Sequence, residues 1–222
     1  MNFSSGESSE EEELKKNVIK IVMLGQTGCG KTSLVIRYID DNFSETTSTT
    51  IGAAFFRKTL VINDEKVNVR LWDTSGQERF KSLVPLYYRH AAGAVLVFDP
   101  QDKLSFEKLK YWQNELQNNC DNVPLMAIAA NKYDLSENLS ENNEMLQKAQ
   151  DYAEEIGSGF FRTSAKTGKS VDEIFDHLIR LIVEKRKKLS IVNEPMNVLI
   201  KPTSQEKKAT SKNNNKQGGG CC

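Results

Sequence analysis

Histidine and cysteine are scarce in this chain. His90 and His177 are the only histidines in 222 residues, and the four cysteines are Cys29, Cys120, Cys221 and Cys222. No pair of them has metal-ligand spacing, so a zinc site has no ligand set. Nor does the pattern resemble a disulfide framework. Long apolar stretches are missing too: runs such as Ala91–Phe98 fall far short of the ~20 residues needed to cross a bilayer. The opening MNFSSGESSEEEELKK lacks the basic patch and apolar stretch of a signal peptide, so export is not expected. The Asn-x-Ser matches at Asn2, Asn42 and Asn138 then read as chance.

Net charge is zero, but its distribution is uneven. Residues 1–16 carry five Glu and two Lys, net −3, and residues 185–222 carry nine Lys/Arg against Glu194 and Glu206, net +7. The body between is left at −4. An acidic body with a basic tail argues against nucleic-acid binding by the domain. It permits the tail to meet an anionic membrane face.

What is present is an alternation. Val18–Leu24 is an apolar strand that ends in a glycine-rich loop, followed by a helical stretch over Ser33–Asp40. Asn42–Thr50 is polar and reads as a loop. Ala53–Val61 and Lys66–Trp72, joined through Asn63-Asp64-Glu65, read as an antiparallel hairpin. Strands at AAGAVLVF, VPLMAIAA and GFFRTS then alternate with helices over roughly 103–119, 142–156 and 170–187. Near-continuous apolar strands imply a mostly parallel sheet covered on both faces, and so an α/β doubly wound domain. The expected organisation is an acidic extension over 1–16, one domain over 17–187 and a flexible tail over 188–222.

Three motifs carry chemistry. Gly25–Thr32, GQTGCGKT, fits G-x-x-x-x-G-K-[ST] between a strand and a helix. Gly25, Gly28 and Gly30 let the backbone N–H groups converge on phosphate oxygens, Lys31 places an ammonium there, and Thr32 offers a hydroxyl to Mg²⁺. Asn131-Lys132-Tyr133-Asp134 follows the apolar run LMAIAA, at the strand end where open sheets bind ligands. The Asp134 carboxylate can accept from guanine N1–H and the 2-amino group, whereas adenine offers a bare lone pair at that edge. In Trp72–Glu78, WDTSGQE, Asp73 suits the Mg²⁺ shell and the Gly76 N–H a γ-phosphate oxygen. Gln77, both donor and acceptor, suits orientation of an attacking water.

These motifs, with Thr50 and Ser164-Ala165-Lys166, stand in the order and spacing of the Ras-superfamily small GTPases. Within them the chain resembles Rab proteins through WDTSGQERF (Trp72–Phe80), Leu86-Tyr87-Tyr88-Arg89 and Cys221-Cys222. The segment Thr49–Phe55, TTIGAAF, is similar to the early-endosomal subgroup. The resemblance implies a six-stranded, mostly parallel sheet with one antiparallel strand. It implies binding of GTP/GDP with Mg²⁺ held through Thr32, Thr50 and Asp73, and nucleotide contacts that extend to Thr27, Cys29 and Ser33. Phe43 would pack beside the base, the stems of Lys132 and Lys166 would cover its faces, and the Ala165 N–H, in a loop begun by Ser164, would meet O6. Hydrolysis would be slow and would rest on Gln77, Lys31 and Gly76. Effectors would read Thr46–Phe56 and Asp73–Tyr88, with Phe55, Trp72 and Tyr87 as an aromatic set.

The resemblance further implies a guanine-nucleotide exchange factor, a GTPase-activating protein, a GDP-dissociation inhibitor and a prenyltransferase escort as partners of a monomer. Prenylation at Cys221 and Cys222 would place the protein on the cytoplasmic face of vesicle or endosomal membranes, in exchange with the cytosol; two chains anchor stably where one is marginal. Two positions depart from the pattern. Ser75 replaces the usual alanine and, being small, is expected to matter little; Thr27 is expected to crowd an incoming arginine finger and slow hydrolysis. A module that holds nucleotide without hydrolysing it and a small-metabolite kinase are the alternatives. Gln77 argues against the first, and the NKYD motif and paired cysteines are unexplained by the second.

Overall fold

The computed structural model describes residues 17–135 and 144–192. The acidic extension, Asn138, and the tail with Cys221 and Cys222 lie outside the described residues. Six strands form one sheet: β1 (Val18–Gly25), β2 (Ala53–Ile62), β3 (Glu65–Thr74), β4 (Gly93–Phe98), β5 (Leu125–Ala130) and β6 (Gly159–Arg162). Their order is β2-β3-β1-β4-β5-β6. Only the β2–β3 pairing is antiparallel. The hairpin is tighter than the sequence suggests: Ile62 already pairs with Glu65, leaving Asn63 and Asp64 as the turn. Both have positive φ, 50° and 64°, as a two-residue turn of the type favoured by the strands' twist requires.

Among the described residues five helices cover the sheet: α1 (Lys31–Asp40), α2 (Val84–Tyr88), α3 (Lys103–Asn119), α4 (Glu144–Glu155) and α5 (Val171–Val192). The period-2 alternation of β1 divides the core between the two faces. Ile19, Ile21 and Met23 pack with Leu34, Tyr38 and Phe175 of α1 and α5. Val22 and Leu24 pack with Val84, Leu109, Trp112 and Leu146 of α2, α3 and α4. The helix over 170–187 runs five residues further, to Val192, because Lys185–Lys188 are good helix formers and no breaker follows. None of the described helices is long and apolar enough to cross a membrane.

The segment between β3 and β4 holds more structure than its sequence shows. A 3₁₀ turn over Glu78–Leu83 leads into α2, with Pro85 in its first turn, where a missing N–H is no loss. Val84 and Tyr88 are buried by α2, pinning this otherwise exposed stretch to the sheet.

Candidate nucleotide site

Strand order reverses about β1, with β3 on one side and β4 on the other. Ligands of open α/β sheets bind at such a point, beyond the carboxyl ends of the strands. The motifs meet there. The loops after β1, β3, β5 and β6, together with the 42–52 loop, surround a cavity of about 420 Å³. It is lined by Thr27, Gly28, Gly30, Lys31, Thr32, Ser33, Phe43, Thr50, Gly76, Asn131, Lys132, Asp134, Ala165 and Lys166. Gly25, Cys29, Asp73 and Ser164 lie behind this lining and support it.

At the phosphate end, Gly30 stands before α1 at φ 91° and no side chain caps the helix, so its first N–H groups remain for an anion. A Cβ on Gly30 would come 2.3 Å from Asn131 Nδ2, so any other residue there would displace Asn131 as well as strain the backbone. Lys31 is buried, and its Nζ donates to the Gly25 and Gln26 carbonyls at 2.9 Å each. Two of three ammonium donors are thereby used, and Nζ also makes a long contact of 4.0 Å to Cys29 Sγ. Cys29 is buried; desolvation pushes its thiol above the ordinary range, against the pull of Lys31 and Lys132. That is the setting of an inert thiol, not a reactive one.

Three oxygens converge beside Lys31. Thr32 Oγ1 donates to Asp73 Oδ2 at 2.6 Å, and Thr50 Oγ1 lies 2.8 Å from Thr32 Oγ1 and 3.2 Å from Asp73 Oδ2. Asp73 is fully buried, and its Oδ1 is left without a partner. Burial raises its carboxyl above the usual range, opposed by the Thr32 bond and the Lys31 charge. An uncompensated carboxylate is costly to bury. Hard oxygen donors around such a carboxylate fit Mg²⁺.

Gly76 is pressed against the phosphate loop: a Cβ there would lie 2.3 Å from Thr27 N. Gln77 does not line the main cavity. Its Nε2 donates to the Thr50 carbonyl at 3.4 Å, and its backbone N–H donates to Ser75 Oγ at 3.2 Å. The Ser75 N–H in turn donates to the Gly52 carbonyl at 2.8 Å, linking the loop before β2 to the loop after β3. Thr27 is exposed at the cavity mouth, the position from which a side chain can obstruct an incoming group.

At the base end, Asn131 Nδ2 donates to the Cys29 carbonyl at 2.9 Å, while its Oδ1 accepts from the Ala165 N–H at 3.3 Å. Ser164 Oγ donates to Asp134 Oδ1 at 2.6 Å, orienting that carboxylate. Phe43 packs against the core beside the cavity. Lys132, at φ 59°, turns its Nζ to Asp99 Oδ2 at 2.8 Å. Lys166 Nζ reaches Glu45 Oε1 at 3.0 Å across the cavity mouth. Asp99 and Glu45 escaped the sequence reading; Asp99, one residue past the end of β4, occupies a strand terminus of the kind that places ligands.

Phe55, Trp72 and Tyr87 do form a continuous aromatic surface, with ring centroids 5.1 Å and 5.5 Å apart. The expectation that partners read Asp73–Tyr88 narrows: Asp73, Thr74 and Ser75 are buried in the site and Tyr88 in the core. The part of that stretch at least partly exposed is Gly76–Tyr87, with Val84 turned inward.

The Ras family model matches residues 20–184. Ras-related protein RABF2b of Arabidopsis thaliana is 48% identical over 161 residues, covering 72% of this chain and 79% of the relative. Ras-related protein Rab5A of Oryza sativa subsp. japonica is 43% identical over 165 residues, covering 74% and 80%. Ras-related protein Rab-21 of Homo sapiens is 42% identical over 165 residues, covering 74% and 72%. Matches of that length run through every loop that shapes the cavity, so the chain belongs to the Ras family as a Rab small GTPase, a guanine-nucleotide switch of vesicle trafficking.

Proposed function

We propose that the cavity binds GTP or GDP with Mg²⁺, and that the γ-phosphate decides whether the loop around Thr50 stays docked. One observation carries this reading. Thr50 lies 18 residues beyond Thr32 on an irregular loop, yet the two hydroxyls meet at 2.8 Å over the buried Asp73. Thr32, Thr50 and Asp73 would hold the metal, which when bound neutralises phosphate charge. The N–H groups of Gly28 through Ser33 and the Lys31 ammonium bind the phosphates. Asp134, oriented by Ser164, reads the guanine edge, with the Ala165 N–H at O6, Phe43 at the ring edge and the Lys132 and Lys166 stems on its faces.

In hydrolysis a water oxygen bonds to the γ-phosphorus as the bond to the β–γ bridging oxygen breaks; the electron pair leaves with GDP. Gln77 orients the water, held near the Thr50 carbonyl; Lys31 and the Gly76 N–H stabilise charge on the transferring group. Loss of the γ-phosphate removes the contacts that hold Thr50 and Gly76, releasing both segments from partners that read them. Exchange factors, activating proteins and effectors act on Rab proteins in general. For this chain the escorts are a GDP-dissociation inhibitor and a prenyltransferase escort. Cys221 and Cys222 carry the lipids that hold it to vesicle or endosomal membranes, with Thr49–Phe55 supporting the endosomal assignment.

The test is equilibrium binding of GDP and ADP to nucleotide-free protein, beside Asp134→Ala. Preference for GDP by about 10⁴-fold or more, collapsing in the variant, supports the reading. Equal binding of ADP by the unaltered protein contradicts it.

A further inference from the structure

Arg37 is absent from every motif above, yet its side chain makes four hydrogen bonds near the site. It stands on α1, the helix that begins at Lys31, and is 17% exposed. Its Nε donates to the Ala165 carbonyl at 2.8 Å and its Nη2 to the Lys166 carbonyl at 2.9 Å. Its Nη1 donates to the Asp41 carbonyl and carboxylate at 2.8 and 2.9 Å. The fork thus clasps two successive carbonyls of the base loop, 128 and 129 residues away. The rigid planar fork fixes the spacing and direction of its donors, which the rotatable lysine ammonium does not.

The orientation of the clasp matters. In a trans peptide the C=O and the following N–H point in opposite directions. Holding the Lys166 carbonyl therefore turns the Thr167 N–H away from Arg37, and that N–H donates to Ser164 Oγ at 3.1 Å. Ser164 Oγ donates onward to Asp134 Oδ1 at 2.6 Å. Guanidinium, peptide, hydroxyl and carboxylate are aligned donor to acceptor throughout, an arrangement in which each bond polarises the next. The Ala165 carbonyl is fixed from the same side, while the Ala165 N–H faces Asn131.

The geometry points to Arg37 as a positioning residue for guanine selectivity, acting through the Ala165–Thr167 backbone and Ser164 on the Asp134 carboxylate. The inference rests on the reading of Asp134 as the group that meets the base. A merely structural role is available to Arg37, since Asp41 closes α1 with its N–H on the Arg37 carbonyl. The two roles differ in what they do to base choice. Asp41's carboxylate is 94% exposed, so that ion pair contributes little; the carbonyl bonds are the ones with consequence.

The experiment measures dissociation constants and rates for GDP and IDP, which lacks the 2-amino group, with thermal unfolding of each protein. Arg37→Ala should speed GDP release about tenfold, from loss of charge-assisted bonds, and shrink the GDP-over-IDP preference at least threefold. Arg37→Lys, which keeps charge and stem but loses the fixed fork geometry, should fall between and carries the test if the alanine variant does not fold. An unchanged GDP-over-IDP preference in both variants, even with faster release of each nucleotide, overturns the proposal and leaves Arg37 a helix cap. Asp134→Asn run alongside separates the two levels. If it retains the wild-type preference for GDP, the base reading itself fails, and the proposal with it.

Discussion

Asn131 donates through Nδ2 to the Cys29 carbonyl at 2.9 Å, joining the loop after β5 to the phosphate loop after β1. The same side chain accepts from the Ala165 N–H, so one buried amide holds together both ends of the nucleotide cavity. Asn131→Ala leaves the Cys29 carbonyl without this partner and frees the base loop. Each buried polar group left unpaired costs about 1–3 kcal/mol. GDP release, followed with a fluorescent analogue, is expected to quicken roughly ten- to a hundredfold. Global unfolding should move far less, because the sheet core does not depend on the contact.

Metal removal is the second lever. Asp73 is buried beside Thr32 and Thr50 with Oδ1 unpartnered. Chelation of Mg²⁺ should accelerate GDP release in the unaltered protein. In Asp73→Asn, which keeps shape and hydrogen bonding but removes charge, release in the presence of Mg²⁺ should already match the chelated rate. A variant that still responds to chelator as the parent does would place the metal elsewhere.

Ser75 has a task that its size does not reveal. Its buried hydroxyl accepts the Gln77 N–H at 3.2 Å, which sets the backbone from which the Gln77 side chain departs. Ser75→Ala should lower single-turnover hydrolysis by two- to fivefold, matching a neutral hydrogen bond of about 1 kcal/mol. Nucleotide affinity should be unchanged, because Ser75 does not touch the cavity.

Burial raises the thiol pKa of Cys29 above the ordinary range. A raised pKa keeps the group protonated, so the reactive thiolate is scarce at pH 7–8 and grows only as pH rises further. Burial raises the Cys120 thiol too, but Cys120 is only half-buried, so alkylation by iodoacetamide, mapped by mass spectrometry, should mark the buried Cys29 more slowly than Cys120 at pH 8. The contrast should vanish on unfolding. Rapid Cys29 labelling at neutral pH in the folded protein would contradict the reading of an inert thiol.

Most of the fold was readable because its signals are local. Strand runs such as Gly93–Phe98 are uniformly buried and therefore uniformly apolar, and the phosphate loop shows its glycines in place. The 78–88 stretch was not read as helical because a 3₁₀ turn and a five-residue helix are too short to show a period. Long-range partners were invisible for another reason. Arg37 with the Ala165 carbonyl, Lys132 with Asp99 and Lys166 with Glu45 join residues far apart in the chain, and only the tertiary fold brings them together. The burial of Asp73–Ser75 likewise depends on strands β1 and β3 lying side by side.

The central claim is that this cavity hydrolyses GTP slowly through Gln77 and so times its own switch. The direct measurement is a single turnover of protein loaded with GTP and Mg²⁺, with GDP formation followed over hours beside Gln77→Leu. The account expects conversion at about 10⁻⁴–10⁻³ s⁻¹, the scale of unassisted Ras hydrolysis, and at least tenfold slower conversion in the variant. Equal rates in the two proteins, or GTP retained unconverted in both, would contradict it.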